Sequence, residues 1–146
     1  MLFDKDRQWR YTMIARQRRD PSSVFEGEDA LVAEAMDLHP ELDEIWEQGD
    51  RSALPQEING AIVNPFIHTA LHVAIEKQLR EKSPPDTQRT LSILVEKGVD
   101  RHEAVHRIAE VYAHLYFTTF RRGQSFEELS YIELLRQLAE LHEQES

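Results

Sequence analysis

The chain has no cysteine. Disulfides, thiolate zinc sites, iron–sulfur clusters and cysteine nucleophiles are therefore excluded, and any bound metal must be held by nitrogen and oxygen. No apolar run approaches the roughly 20 residues of a membrane-spanning helix. The N-terminal residues hold no apolar stretch of signal-peptide type. A cytoplasmic protein without a membrane partner is expected. Basic residues are in the minority, 17 Lys and Arg against 27 Asp and Glu, for a net charge of -10. Phosphate neutralisation needs the opposite balance, so nucleic acid is not expected as a partner. Glycine and proline are few, five and six respectively, and fall between periodic segments. No alternating apolar pattern and no hairpin turn signal stands out, so no sheet is expected.

What remains is helix-forming sequence. At 146 residues, with 40% hydrophobic and 30% charged, the chain has the size and composition of a single soluble domain. Helical periodicity predicts segments over Arg7–Arg19, Glu28–Leu38 and Glu41–Gln48. His39 would be the last residue of the second, because Pro40 pushes its predecessor out of the α region. Residues 49–63 read as an irregular loop. Asn64-Pro65 then opens a helix running to about Lys82, with Asn as N-cap and Pro at the first helical position. Asp86–Lys97 follows, with Gly98 as its C-terminal stop. Asp100 caps a helix to about Arg122, and Ser125–Glu128 reads as the capping box of a last helix. The expected fold is all-α: an up-down bundle of five to six helices, with residues 1–48 packed on the 64–143 bundle. Arg7, Arg10, Arg16, Arg18 and Arg19 make the first helix basic. Asp4, Asp6 and Asp20 are interleaved among them, which reads as a solvated helix face.

Two of these helices spell the same pattern: His68-x-x-x-His72-x-x-x-Glu76 and His102-x-x-x-His106-x-x-x-Glu110. Residues four apart share a helix face, so each stripe aligns two imidazoles and a carboxylate. Imidazole with carboxylate is a ligand set of zinc, iron, manganese and nickel. Gathering these groups in one interior without a cation would be costly. The expected ligands are His68, His72, His102 and His106, with Glu76 and Glu110 as ligands or orienters of ligands. His39 is the candidate for an extra ligand. The cofactor would be a divalent transition metal: Zn, Fe, Mn or Ni. A protein partner or a homo-oligomer stays open.

Two other readings compete. A buried His–Glu network without metal would make this a structural or interaction protein. His102-Glu103-x-x-His106 also matches the zinc peptidase motif, in which Glu103 would activate water. Against that, Glu103 stands three residues after the Asp100 cap, and no strand is expected to align a peptide. Ferritin-like bundles use Glu-x-x-His pairs. Glu103-x-x-His106 supplies one, but Thr69 stands where the first stripe would need the other glutamate.

The run Asn64-Pro65-Phe66-Ile67-His68-x-x-Leu71-His72-x-x-Ile75-Glu76-x-Gln78, the Pro84-Pro85 break, Arg101-His102-Glu103-Ala104-x-His106 and the step Leu38-His39-Pro40-Glu41 carry a likeness from about Ala30 to Glu110. The chain there resembles a bacterial family of small proteins defined only as domain of unknown function 1841. The resemblance implies a bacterial, cytoplasmic protein and brings no activity with it.

Overall fold

A computed structural model describes residues 4–58 and 60–145, with side chains through Leu141. The chain divides into two compact units, with the boundary between Val73 and Ala74.

In the first unit, Asp4 caps helix α1 (Lys5–Gln17), its carboxylate accepting the Arg7 N–H at 2.8 Å. Helix α2 (Glu28–Asp37) follows, then a 3₁₀ turn at Pro40–Leu42, the single-turn helix α3 (Asp43–Trp46) and a 3₁₀ segment at Gly49–Ala53. Helix α1 packs on α2 and α3. The core gathers Tyr11 and Ile14 of α1, Leu31, Val32 and Met36 of α2, and Trp46, Phe66 and Val73. The basic residues of α1 and the turn after it pair with acidic neighbours while Arg10, Arg16 and Arg19 stay exposed. Arg7 pairs with Glu28, Arg10 with Asp29, Arg18 with both Asp37 and Asp43, and Arg19 with Glu47. Burial alone would lower the Arg18 pKa, but the two carboxylates more than offset it and leave it raised.

The expected absence of a sheet is corrected here. Strands β1 (Gln56–Ile58) and β2 (Ala61–Val63) pair antiparallel, with Ile58 opposite Ala61. Residues 49–63 are thus a 3₁₀ segment and a hairpin, not an irregular loop. The signal was in the sequence: Asn59-Gly60 between two short runs is the strongest local hairpin cue. Gly60 has a φ of +85°, which suits such a turn. Three-residue strands are too short for the alternating pattern to register.

Helix α4 (Pro65–Glu81) crosses the unit boundary. Asn64 caps it as expected, accepting the Ile67 N–H at 3.1 Å while its own amide donates to the Ala53 carbonyl at 2.8 Å. The second unit holds the rest of α4 with α5 (Pro85–Glu96), α6 (Arg101–Arg121) and α7 (Glu128–Glu145). Helices α5, α6 and α7 pack on one another around Leu91, Leu94, Val105, Ile108, Tyr131 and Leu135. Tyr131 O–H donates to the Gln78 side-chain carbonyl at 2.7 Å, and Thr87 donates to the same oxygen at 2.9 Å. Helix α7 begins later than its proposed capping box. The Glu127 carbonyl accepts from Tyr131 N–H, and the Glu127 carboxylate accepts from Ser130.

Three helices end on one motif, in which the residue after the C-cap turns left-handed and the following N–H reaches back five residues. In α5, Val99 donates to Leu94 around Gly98, and in α6, Gln124 donates to Thr119 around Gly123. In α4, Ser83 donates to Gln78 around Lys82, at a φ of +56°. The described residues form seven α-helices, more than the five to six expected, because the N-terminal third is cut into shorter pieces. The fold is mainly α. No helix among the described residues is long and apolar enough to cross a membrane.

Candidate metal centre

In the first unit, three histidines come together. Helix α2 ends at Asp37 with Leu38 as C-cap, so His39 lies just beyond the helix rather than at its last position. Its backbone (φ -129°, ψ 61°) lies outside the α region, which a following proline disfavours. That bend turns the ring inward, where only 2% of the residue is exposed. Its Nδ1 lies 2.7 Å from the Ala35 carbonyl oxygen. A carbonyl only accepts, so Nδ1 carries a proton, and in the neutral ring the lone pair is then on Nε2. That Nε2 lies 3.0 Å from Nε2 of His68. The His39 ring stands perpendicular to those of His68 and His72, with centroids 4.7 and 5.6 Å apart.

His68 and His72 are one turn apart on α4. The first turn of that helix is fixed by the Asn64 cap and by Thr69, which accepts the Trp46 indole N–H at 3.0 Å and donates to the Pro65 carbonyl at 2.8 Å. His72 is buried, while His68 is half-buried. Thr69, which broke the ferritin-like pattern, thus serves packing.

In the second unit, Asp100 caps α6 and accepts the His102 N–H at 3.2 Å. The His102 and His106 rings lie one turn apart with centroids at 4.2 Å, both half-buried. Glu76 meets Arg101, its two oxygens taking the guanidinium at 2.7 and 3.1 Å. That pairing raises the Arg101 pKa against the opposing effect of burial. Arg101 has no signal in the sequence, because no helical spacing links it to Glu76. Glu103 is exposed and pairs with Arg107 at 3.4 Å. Glu110 is exposed too, beside a shallow groove lined by Val111, His114, Leu134 and Leu138.

Each unit therefore presents adjacent imidazoles, while Glu76 is paired with Arg101 and Glu110 is exposed. Imidazole nitrogen is a ligand for borderline transition metals, and a ring N–H given to a backbone carbonyl is how a ligating histidine is usually oriented.

The family model for the domain of unknown function DUF1841 matches residues 4–137. The chain belongs to that family. The match extends past the Ala30–Glu110 stretch on both sides, taking in α1 and half of α7. No curated protein and no solved structure matches this DUF1841 chain. The family description names no activity, so the chemistry has to come from the histidines themselves.

Proposed function

We propose that this DUF1841 protein binds a divalent transition metal through imidazole nitrogens, with His39 and His72 as ligands in the first unit and His102 and His106 in the second. The observation that carries the reading is His39. A buried imidazole whose Nδ1–H is committed to the Ala35 carbonyl holds its Nε2 lone pair in one direction, as a metal ligand must. Glu76 supports the set through Arg101, next to His102, rather than as a ligand. Zn, Fe, Mn and Ni all accept imidazole. The hydrolase reading gains no support, because Glu103 is exposed and held by Arg107. We assign no reaction, and the proposed setting is cytoplasmic.

The test is elemental analysis of untagged protein purified without chelator. About one ion per chain is expected in the wild type, and none when His72→Ala and His106→Ala are combined. Metal-free wild type that gains no thermal stability from any of the four ions would overturn the proposal in favour of a plain polar network.

A further inference from the structure

We infer that His68 competes with the metal for the coordinating lone pair of His39 and is not itself a ligand. The inference rests on the metal-binding reading above and concerns how that site is regulated. His39 has one lone pair in its ring plane, on Nε2, because Nδ1–H is given to the Ala35 carbonyl. Nε2 of His68 lies 3.0 Å away, at hydrogen-bond distance. Two imidazole nitrogens this close need one proton between them, and with His39 fixed as acceptor that proton sits on His68. The rings stand at 86°, so the His68 edge meets the position an incoming ion has to take.

An ion on His39 Nε2 and the His68 N–H therefore exclude each other. Binding breaks the hydrogen bond and turns the half-buried His68 ring away, while its proton stays on Nε2. His68 acts as a plug that satisfies His39 when no metal is bound and sets a threshold the ion must exceed. Its position in the His68-x-x-x-His72 stripe makes it look like a ligand, but the hydrogen bond assigns it the opposite effect on affinity.

The two roles predict opposite signs. Zinc and manganese are titrated into metal-free full-length protein by calorimetry. His68→Phe, which keeps the bulk and removes the donor, should bind about 3- to 10-fold more tightly, the scale of one buried hydrogen bond. His68→Gln, whose amide still donates, should stay close to wild type. Weaker or unchanged binding by His68→Phe overturns the inference while leaving the metal site standing. Wild type that takes up neither ion, nor iron or nickel in the same titration, overturns both. A second readout needs no variant: long-range ¹H–¹⁵N spectra of the metal-free protein should show His39 protonated at Nδ1 and His68 at Nε2. Protonation of His68 at Nδ1 instead would sink the plug.

Discussion

A histidine followed by proline has few backbone choices, and His39 shows what that restriction achieves. The ring faces inward because the chain cannot continue as helix. Pro40→Ala removes the restriction and lets α2 run on, swinging the ring off its Ala35 contact. Metal affinity should fall by roughly 10-fold or more with little loss of helix content; calorimetry and circular dichroism on the same sample check both. The core holds a second residue with a measurable signature. Tyr11 is buried with 3% exposure, and desolvation pushes its phenol up to about 12, with Arg7 pulling the other way. A raised phenol pKa means that the folded state keeps a proton the unfolded chain gives up near pH 10. Its stability contribution is whole below pH 10 and is lost between pH 10 and 12, by about 2–3 kcal/mol. Denaturant midpoints across that window should fall steeply in wild type. In Tyr11→Phe the fall should be shallower by that amount, and identical slopes would contradict the assignment.

At the scale of elements, what could be read in the sequence tracks the length of the signal. Long helices with caps were legible: Asn64-Pro65 opens α4, Asp100 opens α6, and Gly98 and Gly123 follow α5 and α6. The hairpin was not, because three-residue strands carry no period and only Asn59-Gly60 announced them. The short N-terminal helices are held by tertiary packing and by Arg–carboxylate pairs from α1. The solvated character of that face is legible in its interleaved charges, but its carboxylate partners are not, because they lie far away in sequence. Of the proposed ligands, His72, His102 and His106 stand out in the sequence by their spacing, and His39 by the proline that follows it. The His39–His68 contact and the Arg101–Glu76 clamp depend on how elements fold back, and no spacing records that. Asn64 joins two elements at once, capping α4 and holding the Ala53 carbonyl ahead of the hairpin. Asn64→Ala should cost about 1–2 kcal/mol by chemical denaturation. Asn64→Asp, which keeps the cap acceptor and loses the amide donor, should recover part of that.

For the molecule as a whole, the boundary between the compact units falls inside a helix. Breaking α4 at Ala74 would cost the helical bonds on both sides. We therefore propose that the chain folds as one cooperative domain. Its tryptophans, Trp9 and Trp46, are both in the first unit, while most residues of the longest helices, α6 and α7, report the second through circular dichroism. Fluorescence and dichroism should therefore give coincident urea transitions. Two separated midpoints would show units that unfold independently.

Lys82 has a consequence for the stability margin of this chain. Two of its helices end on glycine where the backbone turns left-handed, and α4 makes the same turn on a lysine, a conformation that costs an L side chain about 1 kcal/mol. Lys82→Gly should therefore raise the thermal midpoint by a few degrees, and a lowered one would mean that the lysine side chain makes up the cost elsewhere. Selection holds a protein only far enough above its stability threshold to be useful. One suboptimal turn beside two optimal ones fits within that margin, and it gives an engineer an inexpensive first substitution.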